Sequence, residues 1–114
     1  MNVYDQAHNL AQAVTESQEF QEFDRMRKQV EQDEGLSKMI KDFEQKQMEI
    51  QAKQMAGEMT QQEAMQAMQS IMPYIAANPA ASSYLQAQMR FTLMLHDVVK
   101  IVGDAVGMDT MPNI

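Results

Sequence analysis

Cysteine and tryptophan are both absent from the 114 residues. The lack of Cys excludes a disulfide framework, a Cys-ligated zinc site and an iron–sulfur cluster held by this chain alone. It is neutral between reducing and oxidising compartments. Glycine and proline are scarce, at 4 and 3 residues, too little turn material for a sandwich or barrel of many short strands. No uninterrupted apolar run approaches the roughly 20 residues of a membrane-spanning helix. No charged, apolar, small-residue leader precedes the first helical pattern, so a cytoplasmic location and no membrane association are expected. Basic charge is in deficit: 9 Lys and Arg stand against 16 Asp and Glu, a formal net charge of −7. That balance opposes broad phosphate-backbone binding, although basic residues gathered locally could still meet nucleic acid.

The hydrophobic fraction is 45%, but aromatics supply only 6% of the chain, and much of the remainder is Ala and 13 Met. A mean hydropathy of −0.45 sets these residues in a background of Gln, Glu and Lys. Such a mixture suits slim helices with one buried face. The length is that of one domain, expected over residues 1–107 with a loose tail at 108–114.

The spacing of apolar residues predicts five helices. The first runs from about Asn2, a plausible N-cap, to Val14, with Val3, Ala7, Leu10, Ala11 and Val14 on one side. Thr15 and Ser17 break it and cap a second, which carries Phe20, Phe23, Met26 and Val30 and ends in the acidic stretch Glu31 to Glu34. A third begins near Leu36 and runs to about Ala56, with Leu36, Ile40, Phe43, Gln47, Ile50 and Gln54 at heptad-like spacing. Gly35 is a soft boundary, so the second and third helices are open to being one bent rod. Gly57 stops the third.

Thr60 with Glu63 forms a capping box that starts the fourth helix, whose apolar face holds Ala64, Met65, Met68, Ile71, Met72 and Ile75. Pro73 inside it is expected to introduce a kink, and Asn78-Pro79 to end it. The last helix starts near Ala80 or Ser82 and reaches about Val106. Tyr84, Ala87, Phe91, Met94, Val98 and Ile101 form one seam on it; Leu85, Thr92, Leu95, Val99, Val102 and Val106 form a second. Two adjoining seams make a stripe too wide for one antiparallel neighbour, so some neighbours are expected from another subunit. Tyr84, Phe91, Met94, Leu95, Val98, Val99 and Val102 are the candidate oligomer interface.

Equipment for catalysis is missing. His8 and His96 stand alone, and His96 and Asp97, as sequence neighbours, point to different sides of a helix. The carboxylates form neither a Glu-x-x-His pair nor a calcium loop and read as solvated faces. No Gly-rich phosphate loop or nucleophile elbow is present. No catalytic residue, cofactor or metal ligand is assigned, and a non-enzyme is expected.

Met55, Met59, Met65, Met68 and Met72 cluster at and after the Gly57 turn. Thioethers bind copper(I), but helical spacing without His or Cys favours gap filling and an adaptable contact surface. This set is the candidate partner surface. Arg25, Arg27, Lys28, Lys38, Lys41, Lys46 and Lys53 are interleaved with acidic residues and lack an aromatic stacking platform. Pairing on a solvated face is their first reading, and an RNA contact the second.

The opening Asn2-Val3-Tyr4-Asp5-Gln6-Ala7 with Leu10, the Ser17-x-Glu19-Phe20 helix start, the turn from Lys53 to Gln61 and Lys100-Ile101-Val102 occur in this order along nearly the whole chain. In these the chain resembles the YheA/YlbF/YmcA family of small helical proteins of Gram-positive bacteria, its YheA branch in particular. The resemblance implies an all-α fold whose long helices pack as dimers or larger oligomers. It also implies regulatory partners, since YlbF and YmcA are implicated in competence, sporulation and biofilm control through a complex affecting ribonuclease Y. That complex has been linked to iron–sulfur clusters, a trait that a chain without Cys does not inherit.

The resulting expectation is an all-α, elongated antiparallel helical hairpin or bundle with long amphipathic helices. It is expected to be a homo-oligomer that binds other cytoplasmic regulatory proteins. An RNA-binding accessory factor is the alternative, and a metal-binding protein a third reading.

Overall fold

The computed structural model describes residues 2–108; the expected tail lies outside them from residue 109 onward. The described residues form five α-helices and no strand: α1 Val3–Glu16, α2 Gln18–Glu31, α3 Glu34–Met55, α4 Gln61–Ala76 and α5 Pro79–Ala105. The all-helical expectation holds, and the boundaries have local causes. The Asn2 side chain accepts hydrogen bonds from the Tyr4 and Asp5 N–H groups and so caps α1. The Ser17 hydroxyl accepts from the Phe20 N–H at 3.1 Å and starts α2. Thr15 does not break α1 as expected. It lies within the helix, and its hydroxyl donates back to the Gln12 carbonyl at 2.8 Å.

Two further boundaries differ from expectation. The second and third helices are separate, and the break is not at Gly35, which sits in the first turn of α3. Asp33 is the N-cap instead, its carboxylate accepting from the Leu36 N–H at 3.1 Å. A carboxylate that satisfies an orphan donor ends one helix and starts the next more effectively than a glycine that satisfies none. Asn78 not only follows α4 but caps α5, accepting from the Ala80 and Ala81 N–H groups. Pro79 then takes the first helical position, where its missing donor costs nothing. α4 continues through Pro73 to Ala76.

The chain divides into two compact units: one of the residues up to Met26 with those from Leu85 onward, the other of Arg27–Tyr84. In the second unit α3 and α4 pack against each other as a hairpin. The buried side chains here are Val30, Leu36, Ile40, Phe43, Ala64, Ile71, Ile75, Ala81 and Tyr84. Each large one contributes about 1.5–3 kcal/mol relative to exposure. Burial, followed by the Glu44 carboxylate, holds the Tyr84 phenol above its ordinary value, with Arg27 opposing and Glu31 adding a smaller push upward.

In the first unit Phe91 lies with its ring centroid 5.3 Å from that of Phe20, tilted by 59°, and 5.4 Å from that of Phe23, stacked at 12°. Offset and tilted rings at this distance add to the burial of their area. Arg90 Nη2 meets Glu22 Oε1 at 3.2 Å beside them; at this exposure the pair is worth about 0–1 kcal/mol. Ala87 is buried, whereas α1 buries no residue at all.

Candidate functional site

The α3–α4 hairpin is held open at one end by its turn and closed at the other by its core. Gly57 has φ +78°. Its N–H donates to the Gln54 carbonyl at 3.2 Å, and the Glu58 N–H donates to the Lys53 carbonyl at 2.9 Å. These paired bonds satisfy the last carbonyls of α3 and require a left-handed residue between them. Three residues on, the Glu63 N–H donates to the Thr60 hydroxyl at 3.1 Å, and the Thr60 N–H donates to Glu63 Oε1 at 3.0 Å. The Thr60 backbone N–H, and after it the Thr60 hydroxyl, hold the Glu63 carboxyl below its ordinary value against a smaller opposing desolvation.

Between this turn and the core lies a groove of about 570 Å³, lined by Gln47, Ile50, Gln51 and Gln54 from α3 and by Gln61, Ala64, Met65, Met68 and Gln69 from α4. Leu36, Ile40 and Phe43 close the hairpin against α4 farther along. At the next seam positions Gln47 and Gln54 are exposed, leaving Ile50 half-buried. No charged side chain lines the groove. One reason is in the sequence, which runs from Ala64 to Met89 without Asp, Glu, Lys, Arg or His. A surface of amides and thioethers without fixed charge has a low desolvation cost for an apolar helix face laid on it.

A second cleft, of about 340 Å³, lies toward the other end of the same hairpin. Phe43, Ile71 and Ile75 line it with Lys38, Asp42, Lys46 and Tyr74. Lys46 Nζ stands 5.9 Å from the centre of the Tyr74 ring, at the limit for a cation–π contact.

Of the candidate partner surface, Met65 and Met68 reach the groove together; Met72 is exposed on α4, Met55 is exposed at the end of α3 and Met59 is half-buried in the turn. None of the described methionines is buried, so gap filling in the core does not account for them. Gln51, Gln61 and Gln69 escaped the sequence reading. The signal that could have found them is the charge-free stretch opposite a glutamine series at 47, 51 and 54.

Of the candidate oligomer interface, Tyr84 is buried, Phe91, Met94, Leu95, Val98 and Val99 are half-buried, and Val102 is exposed. Leu93 and Ile101 are exposed on the same helix, at 60% and 69%. Among the described residues no group of three or more His, Cys, Asp or Glu side chains could hold a metal ion. No described helix is long and apolar enough to cross a membrane.

Residues 3–107 match the family described as control of competence regulator ComK, YlbF/YmcA. The chain is also similar to a UPF0342 protein of Desulfitobacterium hafniense, 38% identical over 112 residues that cover 98% of this chain and 90% of the relative. A UPF0342 protein of Caldicellulosiruptor bescii is 37% identical over 92% of this chain and 88% of its own. One of Clostridium tetani is 34% identical over 96% and 94%.

Proposed function

The chain belongs to the YlbF/YmcA family, and from that premise we propose that it is a regulatory adaptor, acting through contact with other protein chains and with copies of itself and performing no turnover of its own. The observation that carries this reading is the uncharged groove in which Met65 and Met68 lie beside Ile50 under a rim of glutamines. It suits an amphipathic helix of a partner, whose apolar residues would meet thioethers and whose backbone and polar residues would meet amides. The family description names control of a competence regulator. Regulatory proteins of competence are therefore the leading partner candidates, and the resemblance to YlbF and YmcA adds those of sporulation and biofilm formation and factors associated with ribonuclease Y.

Self-association uses a different surface in this proposal, the α5 stripe around Val98, Val99 and Val102. This leaves the hairpin groove available to the partner. Substituting Met59, Met65 and Met68 together with Gln is expected to reduce partner recovery from the native host severalfold while leaving helical content and oligomer size unchanged. Recovery of no protein partner above control by the native chain, or of protease-resistant RNA in its place, would end the adaptor reading in favour of an RNA-binding accessory factor, whereas recovery of the same partners by the variant would move the contact off this groove.

A further inference from the structure

We propose that the exposed thioethers of the α3–α4 hairpin, Met48, Met55, Met65 and Met72, are a reversible modification site for two-electron oxidants of the peroxide and hypohalous acid class. Their conversion to sulfoxides strips the hairpin of its apolar contact character without unfolding it. The proposal rests on the interaction reading for its consequence, but the modification site stands on independent observations.

The first is exposure. Met55 is 82% exposed, Met48 69%, Met65 57% and Met72 46%, whereas Met39, Met59 and Met68 in the same unit are half-buried. Oxidation of a thioether requires the oxidant to reach sulfur, so accessibility sets the order of reaction. The second is the composition of the core. Its buried side chains are Val, Leu, Ile, Phe, Ala and Tyr, with no Met among them. A sulfoxide carries a strong dipole and destabilises a protein when it must be buried. At these four positions it is hydrated instead, and the helices keep every buried contact. The third is the missing charge. From Ala64 to Met89 there is no ionised group, so beyond Glu63 the polarity of α4 is set by its neutral side chains. Two new sulfoxides there, at Met65 and Met72, change the surface more than they would on a charged helix.

The chemistry balances with the oxidant named. The thioether sulfur attacks one oxygen of hydrogen peroxide, the O–O bond breaks, sulfur gains the oxygen and loses two electrons, and water leaves. With hypochlorous acid the O–Cl bond breaks, and chloride and a proton leave. Reversal consumes two thiols, which become a disulfide as the sulfoxide oxygen departs as water.

The test uses the purified full chain, substoichiometric hypochlorous acid and peptide mapping by mass spectrometry. Met48, Met55, Met65 and Met72 are expected to gain one oxygen each severalfold faster than Met39, Met59 and Met68, with helical content by circular dichroism unchanged. Binding of an apolar-surface dye, anilinonaphthalene sulfonate, should fall on oxidation and return after treatment with methionine sulfoxide reductases of both stereospecificities and a thiol. The variant Met48→Leu, Met55→Leu, Met65→Leu, Met72→Leu keeps the exposed Met89 and Met108, and its dye binding should not respond to oxidant. Equal rates at exposed and half-buried methionines, loss of helix on oxidation, or an undiminished dye response in the Leu variant would each overturn the proposal. A failed partner recovery together with the expected oxidation order would sink the adaptor reading alone.

Discussion

Gln47 and Gln54 occupy positions where the heptad pattern of α3 calls for aliphatic side chains, and both are exposed. Packing follows chemistry rather than register: an amide cannot enter an apolar seam without losing its hydrogen bonds to water, so α3 and α4 leave a groove there. Thr60 and Glu63 show the opposite case, polar residues whose bonds are all local. Thr60→Ala removes the acceptor for the Glu63 N–H and is expected to cost about 1 kcal/mol in urea unfolding. The carboxylate half of the box is pH-dependent. Glu63 is held below its ordinary value of 4.5, so its stabilisation is complete above that pH. It is lost as pH falls through the lower folded-state value. The thermal midpoint of the native chain should therefore exceed that of Glu63→Gln at neutral pH, and the gap should close on acidification. A gap unchanged at low pH would show that the carboxylate charge has no part in the cap.

At the scale of elements, the helices were legible because each rests on a local code: caps at Asn2, Ser17 and Thr60 and apolar spacing within each segment. The boundary at Asp33 was obscured by Gly35, since a glycine two residues downstream reads as a stop when the true signal is a carboxylate accepting one N–H. The groove was less legible still. Its rim comes from two helices, and nothing in the spacing of either one states that Gln47 and Gln51 will face Met65 and Met68. The turn between those helices depends on one conformation. A Cβ at Gly57 would meet nothing within 4 Å, so the penalty of Gly57→Ala is backbone strain alone. A left-handed L-residue costs about 1–2 kcal/mol, partly offset by the stiffer unfolded chain. The expected result is a lower urea midpoint with an unchanged slope. An equal or higher midpoint would mean that the turn relaxes out of its left-handed geometry.

At the scale of the molecule, apolar surface remains that no residue of its own unit covers. α1 buries nothing, and Val3 and Tyr4 are each 78% exposed; on α5, Leu93, Ile101 and Val102 are exposed as well, with Val106 just past its end. Leaving so many apolar side chains in water forfeits the burial that drives association, and a second copy of the chain is the occupant proposed for the α5 face. The choice of substitution decides what is learned. A charge at the half-buried Phe91 would displace its ring contacts with Phe20 and Phe23 of the same chain and so threatens the fold itself. Val102 is 47% exposed, so a lysine there is hydrated in a lone chain and buried only if a partner covers it. Val102→Lys is therefore expected to lower the mass seen by light scattering while circular dichroism keeps its helical signal. Val99→Lys, at a half-buried position, should do the same with a lower thermal midpoint. A well-folded monomer for the unmodified chain would sink the assembly proposal. An unaltered oligomer in Val102→Lys would move the interface off this end of α5, with the uncovered stripe of α1 the next surface to charge.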